Sequence, residues 1–420
     1  MSVTGRSQAL IWGGTALVLA LLPLVFSSGS SLTMMSLMGF AIIFALSYNM
    51  LLGQTGILSF GHAVYYGLGG FMTAHALNVV GAGRWPVPLL LMPLVGGAAG
   101  LFFAVIFGWV STKRAGTAFA MISLGIGELV AACSLILRGF FGGEGGISTS
   151  RTKTLAVFGL NFGPQIQVYY LIAAWCLLCM GAMYAFTRTP LGRMCNAVRD
   201  NPERAEFVGY STQVVRFIAF CVSGFFAGVA GGLAAIHYEI VTSSVVGAVP
   251  SGFVLLMAYI GGVAFFIGPV IGAVLMTALQ ISLSDYTGAW LLYVGLMFVL
   301  VVMYVPWGLG GLLLMQRPLF ARGAWRGVLP VYALAMVPIA LLGAGGVALV
   351  ETAHHLLVKG SEGPAMRVLG VSYDAHSVLA WVVIVLLLAA GLIALRRVAP
   401  RVSHAYHQAV QQALRGDSAP

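Results

Sequence analysis

Apolar stretches of membrane-spanning length, parted by short polar breaks, recur along almost the whole 420-residue chain. A helix needs about 20 such residues to cross the hydrocarbon layer. On that measure the pattern predicts membrane helices near 9–27, 32–52, 57–79, 87–110, 116–138, 168–187, 214–236, 250–263, 266–284, 288–305, 328–350 and 377–395. Residues 9–27 follow Arg6 and precede Ser27, Ser28, Gly29 and Ser30, as a signal peptide would. Their apolar run is nevertheless long enough to span, and a second span follows at once, so they read as the first helix. The stretch 250–284 allows two helices, the first short, broken around Gly261-Gly262 and Gly268-Pro269, or one helix with a re-entrant segment. Small residues recur every fourth position at Gly96, Gly100, Ala104 and Gly108, and at Gly224, Gly228 and Gly232. Such faces let helix backbones approach closely.

One stretch breaks the pattern. Arg188 to Arg216, RTPLGRMCNAVRDNPERAEFVGYSTQVVR, holds eight of the 32 charged residues in 29 positions, and apolar spans flank it on both sides. Such a charge island lies in water. Asn201-Pro202 reads as an N-cap followed by proline at the first helical position. Glu203 then sits near the positive end of that helix, and Gly209 is placed to stop it. Residues 191–199 predict a preceding helix. The island therefore reads as two short helices with a sharp turn, a surface through which a membrane protein receives force from a soluble partner, the alternative being a solvated loop that only joins two spans.

Composition agrees with the membrane class: 60% of residues are hydrophobic, 8% are charged, and the mean hydropathy is +0.98. The net charge of +10 follows the positive-inside rule better than nucleic-acid binding. With twelve spans and both termini in the cytoplasm, 15 of the 21 basic residues fall inside. They are Arg6, Lys113, Arg114, the five of the island, Arg317, Arg322, Arg326, Arg396, Arg397, Arg401 and Arg415, leaving Arg84, Arg138, Arg151, Lys153, Lys359 and Arg367 outside.

Energising chemistry is missing from the chain. A phosphate-binding loop needs Gly-Lys before Ser or Thr, and Lys113, Lys153 and Lys359 follow Thr112, Thr152 and Val358. Of the intramembrane acids that proton relays need, Glu128 is the clear candidate, and the first aspartate of the chain is Asp200. Glu128 either lines a pathway or satisfies a neighbouring hydroxyl. His62, in LSFGHAVYYG, either lines a pathway or fixes two helices. Cys176 and Cys179 form a CxxC in mid-span without a redox or zinc context, and no nucleophile–base set or metal cluster is visible.

RMCNAVRDNPERAEFVGYS, within the island, resembles the cytoplasmic coupling segment of branched-chain amino acid ABC importer permeases of the LivM type. Ala197, Val198, Arg199, Asn201, Glu203, Ala205 and Gly209 carry the likeness. NMLLGQTGILSFGHAVYYGLGG from Asn49 is similar to the family's Gly-Gln…Gly-His segment, through Gly53, Gln54, Ser59, Gly61 and His62. GGVAFFIGPVIGA (261–273) and PWGLGGLL (from Pro306) resemble two further family elements. The likeness spans residues 32–314.

The resemblance implies an all-α polytopic membrane protein of about ten core helices, with about two extra C-terminal transmembrane helices. Residues 1–31 would hold the first helix and a short loop, 32–314 the permease core with coupling segment 188–216, and 315–420 an extension with a basic cytoplasmic tail. It implies a bacterial inner-membrane subunit, multi-pass and not an enzyme, with no cofactor of its own. Its partners would be a second homologous permease, two ABC ATPase subunits that bind ATP and Mg, and a periplasmic substrate-binding protein. Arg193, Ala197, Arg199, Asn201, Glu203, Ala205 and Gly209 would meet the ATPase. Asn49, Gln54, Ser59, His62 and Glu128 would line the path of a small-molecule substrate. Branched-chain amino acids, urea, short amides and aromatic acids all fall within related systems. The rival from another class is a 12-helix secondary transporter, whose charged loop between the second and third spans is replaced here by Gly53-Gln54-Thr55-Gly56.

Overall fold

The computed structural model describes residues 5–154, 161–321, 325–358, 365–368 and 370–415. Arg322, Lys359 and part of the Glu351–His376 segment lie outside the described residues, as do the side chains of Arg6, Arg317, Arg326 and Arg415. Sixteen α-helices are described. They are α1 (Gly5–Val25), α2 (Gly29–Thr55), α3 (Ala63–Gly81), α4 (Met92–Ser111), α5 (Gly116–Ile136), α6 (Arg138–Phe141), α7 (Gln165–Arg188) and α8 (Pro190–Asp200). There follow α9 (Pro202–Phe207), α10 (Thr212–Tyr238), α11 (Ala248–Gly261), α12 (Gly268–Tyr286), α13 (Trp290–Tyr304), α14 (Gly308–Ala321), α15 (Trp325–Val358) and α16 (Val378–Arg415). The strands make two small antiparallel pairs, β1 (Ile147–Ser148) with β2 (Ile240–Val241), and β3 (Ala365–Val368) with β4 (Val371–Asp374). The protein is all-α and polytopic.

Each of the twelve predicted spans holds a helix, but two of them differ from the expectation. Among the described residues nine helices are long and apolar enough to cross a membrane, or ten with the bent pair α13–α14 as one. The span expected at 57–79 is instead a non-helical segment to His62 followed by α3, which is too polar to qualify on composition. The stretch 250–284 is two helices, α11 and α12, and the 14 residues of α11 reach only about 21 Å at 1.5 Å per residue.

The chain divides into two compact units. The first, Met1–Ile281 with Met297–Gly311, is organised around α10, where every residue from Ala219 to His237 is buried except Val222 and Phe225. The two small-residue faces read from the sequence meet each other here. A methyl group added at Gly96 would stand 2.5 Å from the Gly228 carbonyl oxygen, and one at Gly224 2.5 Å from the Ala104 Cβ. Gly69 of α3 wedges against the same Gly228. With lipid offering no hydrophobic drive to associate, such backbone-level packing holds α3, α4 and α10 together. Helix α1 docks differently. Pro23 has no N–H for the Leu19 carbonyl four residues back, and the Tyr169 hydroxyl of α7 donates to that oxygen at 2.7 Å.

The second unit, Ser282–Leu296 with Leu312–Pro420, is built on the long antiparallel pair α15 and α16. Gly391 packs on Leu342, and Val328 packs in a cluster with Ala409. The Tyr293 hydroxyl donates to Glu351 at 2.9 Å, and Thr352 bonds Tyr373 at 2.7 Å.

The close approach makes a direct test. Gly228→Ala places a methyl onto the Gly96 carbonyl, and overpacking of this kind costs about 1–3 kcal/mol. The thermal unfolding midpoint of the purified protein should fall, while Gly181→Ala, which meets nothing within 4 Å, should leave it level. Equal midpoints for the two variants would contradict the packing.

Candidate functional site

The island folds as two helices joined at a sharp turn. The Thr189 hydroxyl accepts from Gly192 N at 3.2 Å to start α8, and Asn201 Oδ1 accepts from Arg204 N at 3.0 Å to start α9. Pro202 and Glu203 occupy the first turn of α9. Past its end Gly209 takes φ +90°, and the Tyr210 amide returns to the Ala205 carbonyl. Only glycine enters this backbone region without strain, so α9 stops where the sequence punctuates it. Cys195, Val198, Ala205, Val215 and Ala219 form a small core that fastens the hairpin to the foot of α10. Burial pushes the Cys195 thiol up to about 12, so it stays neutral and serves as packing. The Thr212 hydroxyl adds a bond to Glu206 at 2.7 Å.

The seven residues assigned to partner contact do not share one role in the fold. Arg193, Ala197, Arg199, Glu203 and Gly209 are exposed, Arg199 with 38% of its side chain accessible. Ala205 is core and Asn201 is a cap. Arg199 turns its guanidinium toward its own chain: Nη1 donates to the Gly53 carbonyl at the end of α2, and Nε donates to Asp200 at 2.9 Å. Its stem lies against Gly56, where an added methyl would stand 2.9 Å from Cγ. Sequence reasoning missed the most exposed apolar residues of the hairpin, Phe207 at 90% and Val208 at 75%. Their signal was available, two large apolar side chains inside a charge island just before its terminating glycine.

Arg199 leads to a buried hub. After the left-handed cap at Gly56 the chain runs back into the bundle as an irregular segment to His62. His62 thus comes level with Phe44 and Ser47, about 12 Å back along α2. Buried backbone outside a helix or sheet needs hydrogen-bond partners. Side chains from several helices supply them: Ser123 of α5 accepts from Phe60 N at 3.0 Å, Ser251 of α11 accepts from Ala63 N at 3.1 Å, and Tyr48 donates to Ser59 O at 3.0 Å. Ser223 of α10 donates to the Ser47 carbonyl at 2.6 Å. Ser47 and His62 Nε2 lie 3.0 Å apart, joining α2 to the start of α3, with the His62 ring stacked on Phe44. No sequence signal marked Ser123 or Ser251, whose partners lie 63 and 188 residues away.

The polar residues expected along the pathway separate into two places. Asn49, Gln54, Ser59 and His62 all belong to the hub, and each has a buried polar atom without a partner: Asn49 Oδ1, Gln54 Oε1, Ser59 Oγ and His62 Nδ1. Glu128 is elsewhere, on the exposed face of α5. The two later motifs also reach the hub. A methyl on Gly53 would stand 2.6 Å from the Val263 carbonyl, Gly262 abuts the Trp307 carbonyl, and Gly310 abuts Gly268. Three stretches far apart in sequence therefore converge, and the island is bolted to them through Arg199.

A multi-pass helical membrane protein with an exposed helical hairpin fixed to a buried hub has the build of a membrane permease subunit. The chain belongs to the branched-chain amino acid transport system / permease component family, whose model matches residues 30–306. It is 28% identical over 298 residues to the high-affinity branched-chain amino acid transport permease LivM of Salmonella typhimurium, covering 66% of this chain and 68% of that one. BraD of Pseudomonas aeruginosa, a permease of the same transport system type, is 22% identical over 59% of this chain and 82% of its own. The autoinducer 2 import permease LsrC of Photorhabdus laumondii is 26% identical over 47% and 57%. No solved structure matches the chain significantly.

The Arg199 strap is testable by itself. Arg199→Met keeps an aliphatic stem on Gly56 and removes the donors. A hydrogen bond to a charged group contributes about 1.5–3 kcal/mol, so amide exchange across 53–57 should rise about tenfold or more. Unchanged exchange there would show that the strap holds nothing.

Proposed function

We propose that this chain is one of two permeases in an ATP-driven importer of small zwitterionic solutes, branched-chain amino acids first among them. Two cytoplasmic ABC ATPases bind ATP and Mg, a periplasmic binding protein delivers the solute, and both termini of this chain face the cytoplasm. The observation that carries the reading is the bolt between island and hub: a partner that moves α8 and α9 pulls on the Gly53 carbonyl. The docking surface is the outer side of the hairpin, Arg193, Ala197, Glu203, Phe207, Val208 and Gly209. Phe207 and Val208 anchor it, since large apolar groups at that exposure lower their free energy when covered. Arg199, exposed on the same hairpin and bonded to the Gly53 carbonyl, both borders that surface and passes its movement to the hub. Similarity to LivM and BraD favours branched-chain amino acids, while LsrC serves a system named for a different solute, so urea, short amides and aromatic acids stand as alternatives.

Purification from the native host should recover a distinct second permease and ATPases, and proteoliposomes of that complex with its binding protein should take up leucine when ATP is inside. Recovery of a lone, transport-competent chain would overturn the reading. Phe207→Glu and Gly209→Asp should insert and express normally yet lose uptake at least tenfold. Gly209→Asp adds strain of about 1 kcal/mol within the chain and a charge at the interface. Normal uptake by both variants would reduce the island to a connecting loop.

A further inference from the structure

Helix α5 presents two unlike faces. Ala120, Ser123, Gly127, Val130 and Ser134 are buried, with Ser123 and Gly127 against the hub segment at Phe60 and Gly61. On the other side Met121, Gly125, Glu128, Leu129 and Ala132 are exposed. At 100° per residue Glu128 falls well inside that outer face. α5 is apolar and long enough to cross a membrane, and Glu128 is its thirteenth residue of 21, about 12 Å from the nearer end. Among the described residues no cation or donor is paired with its carboxylate. This removes the hydroxyl-bonding role within the bundle that the sequence left open.

A lone carboxylate at that depth is not stable against lipid tails. Intramembrane acids face protein or water and pair with cations. The neighbouring apolar residues do not identify what covers the outer face of α5, but the carboxylate does. We propose that this face walls the water-filled pathway shared with the second permease, and that Glu128 is the pathway's contact for the ammonium group of the solute. The inference rests on the two-permease reading above. A single carboxylate in a wall otherwise lined by Met121, Gly125, Leu129 and Ala132 attracts a solute's positive end and leaves its aliphatic part in apolar surroundings. It repels solutes that are anionic overall, which gives the permease a charge filter of its own.

The test uses the whole reconstituted complex and a reporter that does not depend on the solute. Gly125→Cys lies one turn from Glu128, with nothing within 4 Å of the added group. Its labelling is followed with cationic trimethylammonioethyl and anionic sulfonatoethyl methanethiosulfonate, against the parent protein as background for Cys133. The cysteine should react from water, with the cationic reagent favoured about tenfold over its ratio for a free thiol, as expected for a unit charge near the reporter in a partly dry site. Adding Glu128→Gln should return the ratio to the free-thiol value. No reaction, or a ratio that ignores Glu128→Gln, would overturn the inference.

Leucine uptake provides the second arm. Glu128→Gln and Glu128→Leu should each cut the maximal rate severalfold, with KM held by the binding protein and with Glu128→Asp partly restoring the rate. Normal uptake by Glu128→Leu would assign the face to lipid and sink the proposal. If the wild-type complex takes up no leucine, the substrate reading fails, and the labelling ratio still decides where Glu128 faces.

Discussion

Backbone amides and carbonyls that leave helical geometry inside a bundle must find partners there, and the segment from Gly53 to His62 has this need at the centre of the first unit. Its needs are met by single side chains lent from different helices: Ser123 from α5, Ser251 from α11, Tyr48 from α2 and Arg199 from α8. Each loan fixes one helix to the same short piece of chain. The glycine contacts of α3, α4 and α10 set how closely the bundle packs, and the hub sets which helices are tied to which. Removing one partner leaves a buried polar group unsatisfied, a larger loss than the net strength of the bond itself.

This arrangement suits transmission of force. A packed core is bistable rather than smoothly deformable, so displacement at its edge is passed on as a discrete repacking. The hairpin α8–α9 meets the hub through one charged side chain and a small apolar core. The hub in turn holds four buried polar atoms without partners, on Asn49, Gln54, Ser59 and His62.

The sequence revealed features whose causes are local. Cap residues act within one turn, so the island's second helix could be placed from Asn201, Pro202 and Gly209 alone, while the Thr189-Pro190 start of the first went unread. Span length is a property of composition, so nearly every membrane helix was legible. The non-helical run at 57–62 was not, because Ile57, Leu58 and Phe60 are as apolar as any helical residue and only tertiary contacts, Gly61 on α5 and the Ser123 and Tyr48 bonds among them, settle the conformation. Ser123 and Ser251 were invisible for a related reason: a serine in a span carries no mark of a partner 63 or 188 residues away. Arg199 was legible as important and illegible in direction, since a charge at the water boundary suits an outward contact as well as an inward strap. Glu128 stood out as an anomaly, but its face could not be read, because a helix apolar on nearly all sides has little amphipathic phase to orient it.

The C-terminal extension is more than an appendage in physical terms. The family match ends at residue 306, yet the second compact unit also takes in Ser282–Leu296, the end of α12 and the start of α13. Within that unit the Tyr293 hydroxyl has Glu351 of α15 as its partner at 2.9 Å, and Gly288 lies against the ring of His354. A chain cut after Leu314 would therefore strip Tyr293 of its acceptor and Gly288 of the His354 ring. The sequence boundary near 314 marks where family likeness fades, whereas packing draws residues from inside the core into the added helices. The extension thus has contacts of its own with 282–296, residues that lie inside the family match.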